Sequence, residues 1–110
     1  MDKLEMATRQ LGKAFEPKWA TLNPGGRGVA FMFWDDCDHC IYADFFGTYE
    51  VGDKARIATA LIATHDELGL PHSLRTGFHE TEAVARKSMI ERFGEEEPTS
   101  CAANPTGGSK

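Results

Sequence analysis

The stretch Gly28–Gly47, GVAFMFWDDCDHCIYADFFG, decides the fold. Two apolar runs, Val29–Trp34 and Ile41–Phe46, flank the polar segment Asp35-Asp36-Cys37-Asp38-His39. Each run has the length of one strand and is rich in the aromatic and β-branched residues that suit a pleated surface. The spacing predicts a β-hairpin with an acidic, cysteine-bearing tip. In the first strand Val29, Phe31 and Phe33 share one face, and Ala30, Met32 and Trp34 the other. In the second, Ile41, Ala43 and Phe45 oppose Tyr42, Asp44 and Phe46. Both faces are apolar, so both need cover, and a hairpin alone is marginal in water. Helices are expected on one face, leaving part of the other face or a strand edge open to another chain.

Working outward, residues 2–16 carry Leu4, Ala7, Leu11, Ala14 and Phe15 at helical spacing, with Asp2 as a first-turn carboxylate and Pro17 as the stop. The segment 18–27, KWATLNPGGR, reads as a loop around the Asn23-Pro24-Gly25-Gly26 turn signal. Beyond the hairpin, Asp53 is the expected N-cap of a second helix bearing Ala55, Ile57, Ala58, Leu61, Ile62, His65 and Leu68, stopped by Gly69 and Pro71. Residues 70–79, LPHSLRTGFH, read as a loop, and a third helix is predicted over 80–93 with Gly94 at its end. From Glu95 the chain is charged and rich in Pro, Gly and Ser, the composition of a disordered tail. The expected architecture is α+β: an αββαα domain over 1–94 with a central antiparallel hairpin packed by helices, which a dimer would extend into a larger sheet, and a tail over 95–110.

Length and charge narrow the function classes. The chain has 110 residues, 41% hydrophobic and 26% charged, with a formal net charge of −5. That is an ordinary globular balance, and the acidity disfavours direct nucleic-acid binding, which needs clustered Lys and Arg. An acidic surface suits docking on a basic surface of a partner. No apolar run approaches the ~20 residues that cross a bilayer, and the first residues do not read as a signal peptide. A cytoplasmic protein without membrane contact is the expectation, and three cysteines, an odd number, do not make a secreted disulfide framework.

The sharpest local motif is Cys37-x-x-Cys40 with His39 inside it. Two thiolates at this spacing can share a zinc ion, but a structural site needs further ligands, and the spacings of His65, His72 and His79 match no familiar finger. The run Phe33–Cys40 also resembles the thioredoxin family over eight residues. There the motif must open a helix that lowers the thiol pKa, whereas here a strand follows. A thiol nucleophile could be drawn from Cys37 or Cys40, a histidine, and Asp36 or Asp44. Asp35, Asp36 and Asp38 lack the register of a calcium loop, and Gly25-Gly26-Arg27-Gly28 precedes a strand rather than a helix, unlike a phosphate cradle. His72 and His79 flank a loop that offers a contact surface, while His65 reads as a hydrogen-bonded boundary residue.

The turn Asn23-Pro24-Gly25-Gly26-Arg27-Gly28, feeding an apolar strand, a hairpin and an amphipathic helix over residues 22–68, resembles a group of small phage and prophage proteins. The resemblance implies a mobile-element origin and carries no activity. Together these readings point to a non-enzymatic interaction or inhibitor protein engaged in host takeover or anti-defence, in the manner of an anti-CRISPR, acting in the host cytoplasm. Its expected contact residues are Trp34, Asp35, Asp36, Asp38 and Tyr42. The alternative is a small zinc-binding or thiol redox protein using Cys37, Cys40 and His39.

Overall fold

A computed structural model describes residues 3–24, 28–35, 40–94 and 98–102. Helix α1 spans Lys3–Leu22, and strands β1, Val29–Asp35, and β2, Cys40–Gly47, form the antiparallel hairpin. Helix α2 covers Asp53–Leu68, strand β3 Ser73–His79, helix α3 Glu82–Phe93 and strand β4 Ser100–Ala102. The class is α+β, as expected. The four strands are ordered β3-β2-β1-β4, with β3 parallel to β2 and β4 antiparallel to β1. The sheet is therefore extended on both sides of the hairpin from within the chain.

Cover on both faces follows from the strand pattern. On one side Phe31, Phe33, Ile41 and Phe45 pack with Leu4, Leu11, Phe15 and Trp19 of α1 and with Ile57 and Leu61 of α2. The rings of Phe15 and Phe31 meet edge-on at 5.4 Å, and Trp19 meets Phe31 at the same separation. On the other side Ala30, Met32, Trp34 and Phe46 pack with Ala85 and Met89 of α3. The expectation of helices on one face is thus corrected: α3 covers the second, because that face is equally apolar.

Several boundaries move for identifiable reasons. Pro17 does not end α1; the helix runs through it to Leu22. An internal proline costs about 3 kcal/mol, but continuing the helix buries Trp19 in the aromatic cluster, a gain of similar size. The N-cap of α2 is Gly52, at φ 86°, rather than Asp53. Asp53 opens the helix and turns its carboxylate back to accept the Glu50 N–H at 2.8 Å and an Arg56 N–H. Gly69 closes α2 in the left-handed region at φ 63°, as its placement predicts. Helix α3 starts at Glu82, capped by the Thr81 hydroxyl, which accepts the Val84 N–H at 3.1 Å.

Two strands occupy segments expected to be irregular. LPHSLRTGFH contains β3, and part of the expected tail contains β4. Thr99 joins the latter to the hairpin: its N–H donates to the Phe33 carbonyl at 2.7 Å and its hydroxyl to Asp35 Oδ1 at 2.7 Å. The domain boundary at Gly94 therefore extends through the described residues 98–102; residues 95–97 and 103–110 lie outside the description. Truncation after Gly94 removes the β4 ladder from β1. It should lower unfolding stability by about 1–3 kcal/mol in urea titration, the sum of a few main-chain hydrogen bonds.

Candidate functional site

The hairpin tip does not assemble the site expected of it. Asp36, Cys37, Asp38 and His39 lie outside the described residues. Trp34, expected as an exposed contact, is only 2% exposed, with its ring stacked on Phe93 at 6.3 Å. It belongs to the second core because its face of β1 is covered by α3. Asp35 is half-buried and engaged by Thr99, and Tyr42 is half-buried against Phe93. Cys40 is buried in β2. Among the described residues no group of three His, Cys, Asp or Glu side chains is placed to hold a metal ion.

A different constellation lies farther along β2. Parallel pairing sets Tyr42 opposite Arg75, Asp44 opposite Gly77 and Phe46 opposite His79. Residues paired across a parallel ladder share a face, so these six project toward α3. There Ser88, Met89 and Arg92 complete a cleft of about 250 Å³ with Tyr42, Asp44, Arg75, Thr76, Gly77 and His79. Asp44 is its floor. The side chain is almost wholly buried, and its Oδ1 lies 2.9 Å from Nε2 of the half-buried His79, whose N–H donates to it. Its other oxygen, Oδ2, is buried and has no hydrogen-bond partner among the described residues.

Gly77 makes this arrangement possible. A Cβ there would stand 2.5 Å from Asp44 Oδ1 and 3.1 Å from His79 Nε2. The absence of a side chain at 77 is what lets the carboxylate and the ring meet across the ladder. Burial holds the Asp44 carboxyl above its ordinary value, while the His79 hydrogen bond and the charges of His79 and Arg92 pull it the other way. Tyr49 lies on the far side of His79, packed edge-on against Phe78 at 5.6 Å, and burial pushes its phenol up to about 12. Next to it, Gly47, Thr48, Tyr49, Lys54, Phe78, His79 and Glu80 line a second, larger cleft of about 570 Å³, so His79 forms a wall of both.

Two guanidinium groups border the Asp44 cleft. Arg92 places its Nη1 3.5 Å from the Tyr42 hydroxyl and its guanidinium 5.1 Å from the centre of that ring. Neither Arg75 nor Arg92 has a carboxylate partner among the described residues. The site thus combines a buried acceptor with two exposed cations.

Of the residues weighed from the sequence, Asp44 as an orienting carboxylate and His79 as a loop histidine come together here. Cys40 does not join them. It pairs with Ser73 at the opposite end of the β2–β3 ladder, six residues from Phe46 and so roughly 20 Å from His79. His65 is the hydrogen-bonded boundary residue expected, with Nε2 2.7 Å from the His72 carbonyl. Reading 70–79 as a loop concealed Arg75 and Gly77. The available signal was Asp44 itself, the one charge within the apolar run Ile41–Phe46. The chain matches no protein-family model, no curated protein and no solved structure with which it was compared.

Two substitutions test the geometry. A carboxyl whose value is raised by folding holds its proton more tightly folded than unfolded. Its stabilising contribution is full below the ordinary value of 3.8 and is lost as pH rises through the folded value. Asp44→Asn should therefore raise the urea midpoint above that of the parent at neutral pH, with the difference closing as pH falls through the folded value toward about 4. Gly77→Ala should destabilise by about 1–3 kcal/mol through overpacking, read in the same titration.

Proposed function

We propose that this chain is a non-enzymatic recognition protein that receives a hydrogen-bond-donating group on Asp44, in the cleft between α3 and the β2–β3 pair. The observation that carries this reading is that Asp44, whose buried Oδ2 has no hydrogen-bond partner among the described residues, lines an open cleft. A buried oxygen without a donor costs roughly 1–3 kcal/mol, which a bound donor group would recover. Strain of this kind at a polar site is the usual mark of function, because stability alone favours an apolar or amide side chain there.

The histidine favours recognition over acid–base chemistry. His79 directs Nε2, the ring nitrogen farther from the main chain, to Asp44. What remains is Nδ1, which sits close to its own backbone and reaches poorly toward a substrate. The pair thus fixes an acceptor more readily than it presents a base. The reading keeps the non-enzymatic class expected from the sequence and moves the contact from the hairpin tip to the cleft. Tyr42 is the one expected contact residue that lines it.

Methylammonium is the smallest probe of the acceptor. At about 1.5 kcal/mol per heavy atom its dissociation constant should be on the order of 10 mM. In an NMR titration of the ¹⁵N-labelled chain, shifts should concentrate at Gly77, His79, Ser88 and Met89. They should vanish in Asp44→Asn. Saturating shifts elsewhere, or shifts unchanged by that substitution, would sink the assignment.

A further inference from the structure

The charges around the cleft specify more than a donor. Asp44 brings one carboxyl group, whereas Arg75 and Arg92 bring two positive charges that have no carboxylate partner among the described residues. A simple amine would satisfy Oδ2 yet leave both guanidinium groups without an anionic partner, and would itself be repelled by them. A simple carboxylate would engage the arginines and leave the buried oxygen unpaired. One molecule bearing both groups satisfies the whole site. We infer that the occupant of this cleft is a small amino-carboxylate, with its ammonium on Asp44 Oδ2 and its carboxylate held by Arg75 and Arg92; the inference rests on the cleft being the recognition site.

Size and layout agree with that chemistry. A volume of about 250 Å³ holds the equivalent of roughly eight waters at about 30 Å³ each, the scale of a free amino acid and too little for a nucleotide. Arg75 stands two residues before Gly77 on β3, so its Cα lies roughly 7 Å along the strand from the point opposite Asp44. A guanidinium arm from there, and another from α3, approach the cleft mouth from two sides. Guanidinium suits this task because its planar array of N–H donors matches a carboxylate in pairs. Arg92 is already steered by the Tyr42 ring and hydroxyl, which limits the freedom it must lose on binding. The floor is built rather than superficial, since the acceptor is held by His79 from one side and admitted by Gly77 from beneath.

The test is a calorimetric and NMR comparison of methylammonium and acetate with glycine, β-alanine and γ-aminobutyrate, whose charged ends are spaced progressively farther apart. At least one amino-carboxylate should bind about 100-fold more tightly than either single-group probe, because linking two fragments makes the second contact intramolecular. Arg75→Gln and Arg92→Gln, both at exposed positions, should each weaken that compound about tenfold or more, whereas methylammonium, relieved of a repelling charge, should bind no more weakly than to the parent. Asp44→Asn should abolish both. If the amino-carboxylates bind no better than methylammonium, the inference is overturned and the recognition site stands. If acetate alone binds and depends on the arginines, the cleft is an anion site and the inference again fails. If no probe perturbs the cleft, the recognition reading itself falls with it.

Discussion

The constraint on which this structure depends is a hairpin strand with no polar face. Every residue from Val29 to Trp34 is buried. A strand of that composition sits stably only between two layers, so helices must arrive on both sides. The odd-numbered residues draw in α1 and α2, and the aromatic group Phe15, Trp19, Phe31, Phe33 and Phe45 closes that side. The even-numbered residues draw in α3 through Ala85 and Met89. The main-chain groups of β1 and β2 then need partners beyond the hairpin, and β4 and β3 supply them. An edge left bare on such an apolar strand would invite pairing with other chains.

Asp44 is the exception to this logic. It stands on the same face as Trp34 and Met32, in the central sheet, where an apolar residue would pack without loss. The surrounding chain bends to accommodate it: a glycine opposite, a histidine one pleat farther on, and arginines at the rim. These choices around one buried carboxyl group agree with each other. His79 also links this cleft to the neighbouring one beside Tyr49 and Lys54, so a ligand that displaced the ring would be felt in both.

Much of the fold was legible from periodicity, and the failures share one cause. The hairpin, the stripe Leu4, Ala7, Leu11 and Phe15, and the end of α2 at Gly69 follow from local rules. Strand β3 was hidden because only Leu74 and Phe78 of Ser73–His79 are large and apolar, while Pro71 and Gly77 imitate loop chemistry. An edge strand buries little, so its sequence records little. Strand β4 is shorter still. Pro17 misled for the opposite reason: a local penalty was outweighed by the tertiary burial of Trp19, which no window of neighbouring residues contains. The burial of Trp34 depends on α3 packing against its face of the sheet, a contact between segments about 50 positions apart.

The candidate site was less legible than the fold, because it is made by pairing rather than by proximity along the chain. Asp44 and His79 are separated by 35 positions and meet only once β3 lies parallel to β2 in a single register. A slip of one residue would turn His79 and Arg75 to the opposite face and bring Phe78 against the cleft. That register is held from the other side of the sheet, where Phe78 stacks on Phe45 at 5.6 Å and Tyr49 closes over Phe78. The apolar face therefore sets the geometry of the polar one. Substitutions that loosen the Phe45–Phe78 contact reach the site through β3, although neither ring belongs to the Asp44 cleft. The motif Cys37-x-x-Cys40 is compact in sequence, whereas the residues around Asp44 are spread over β2, β3 and α3.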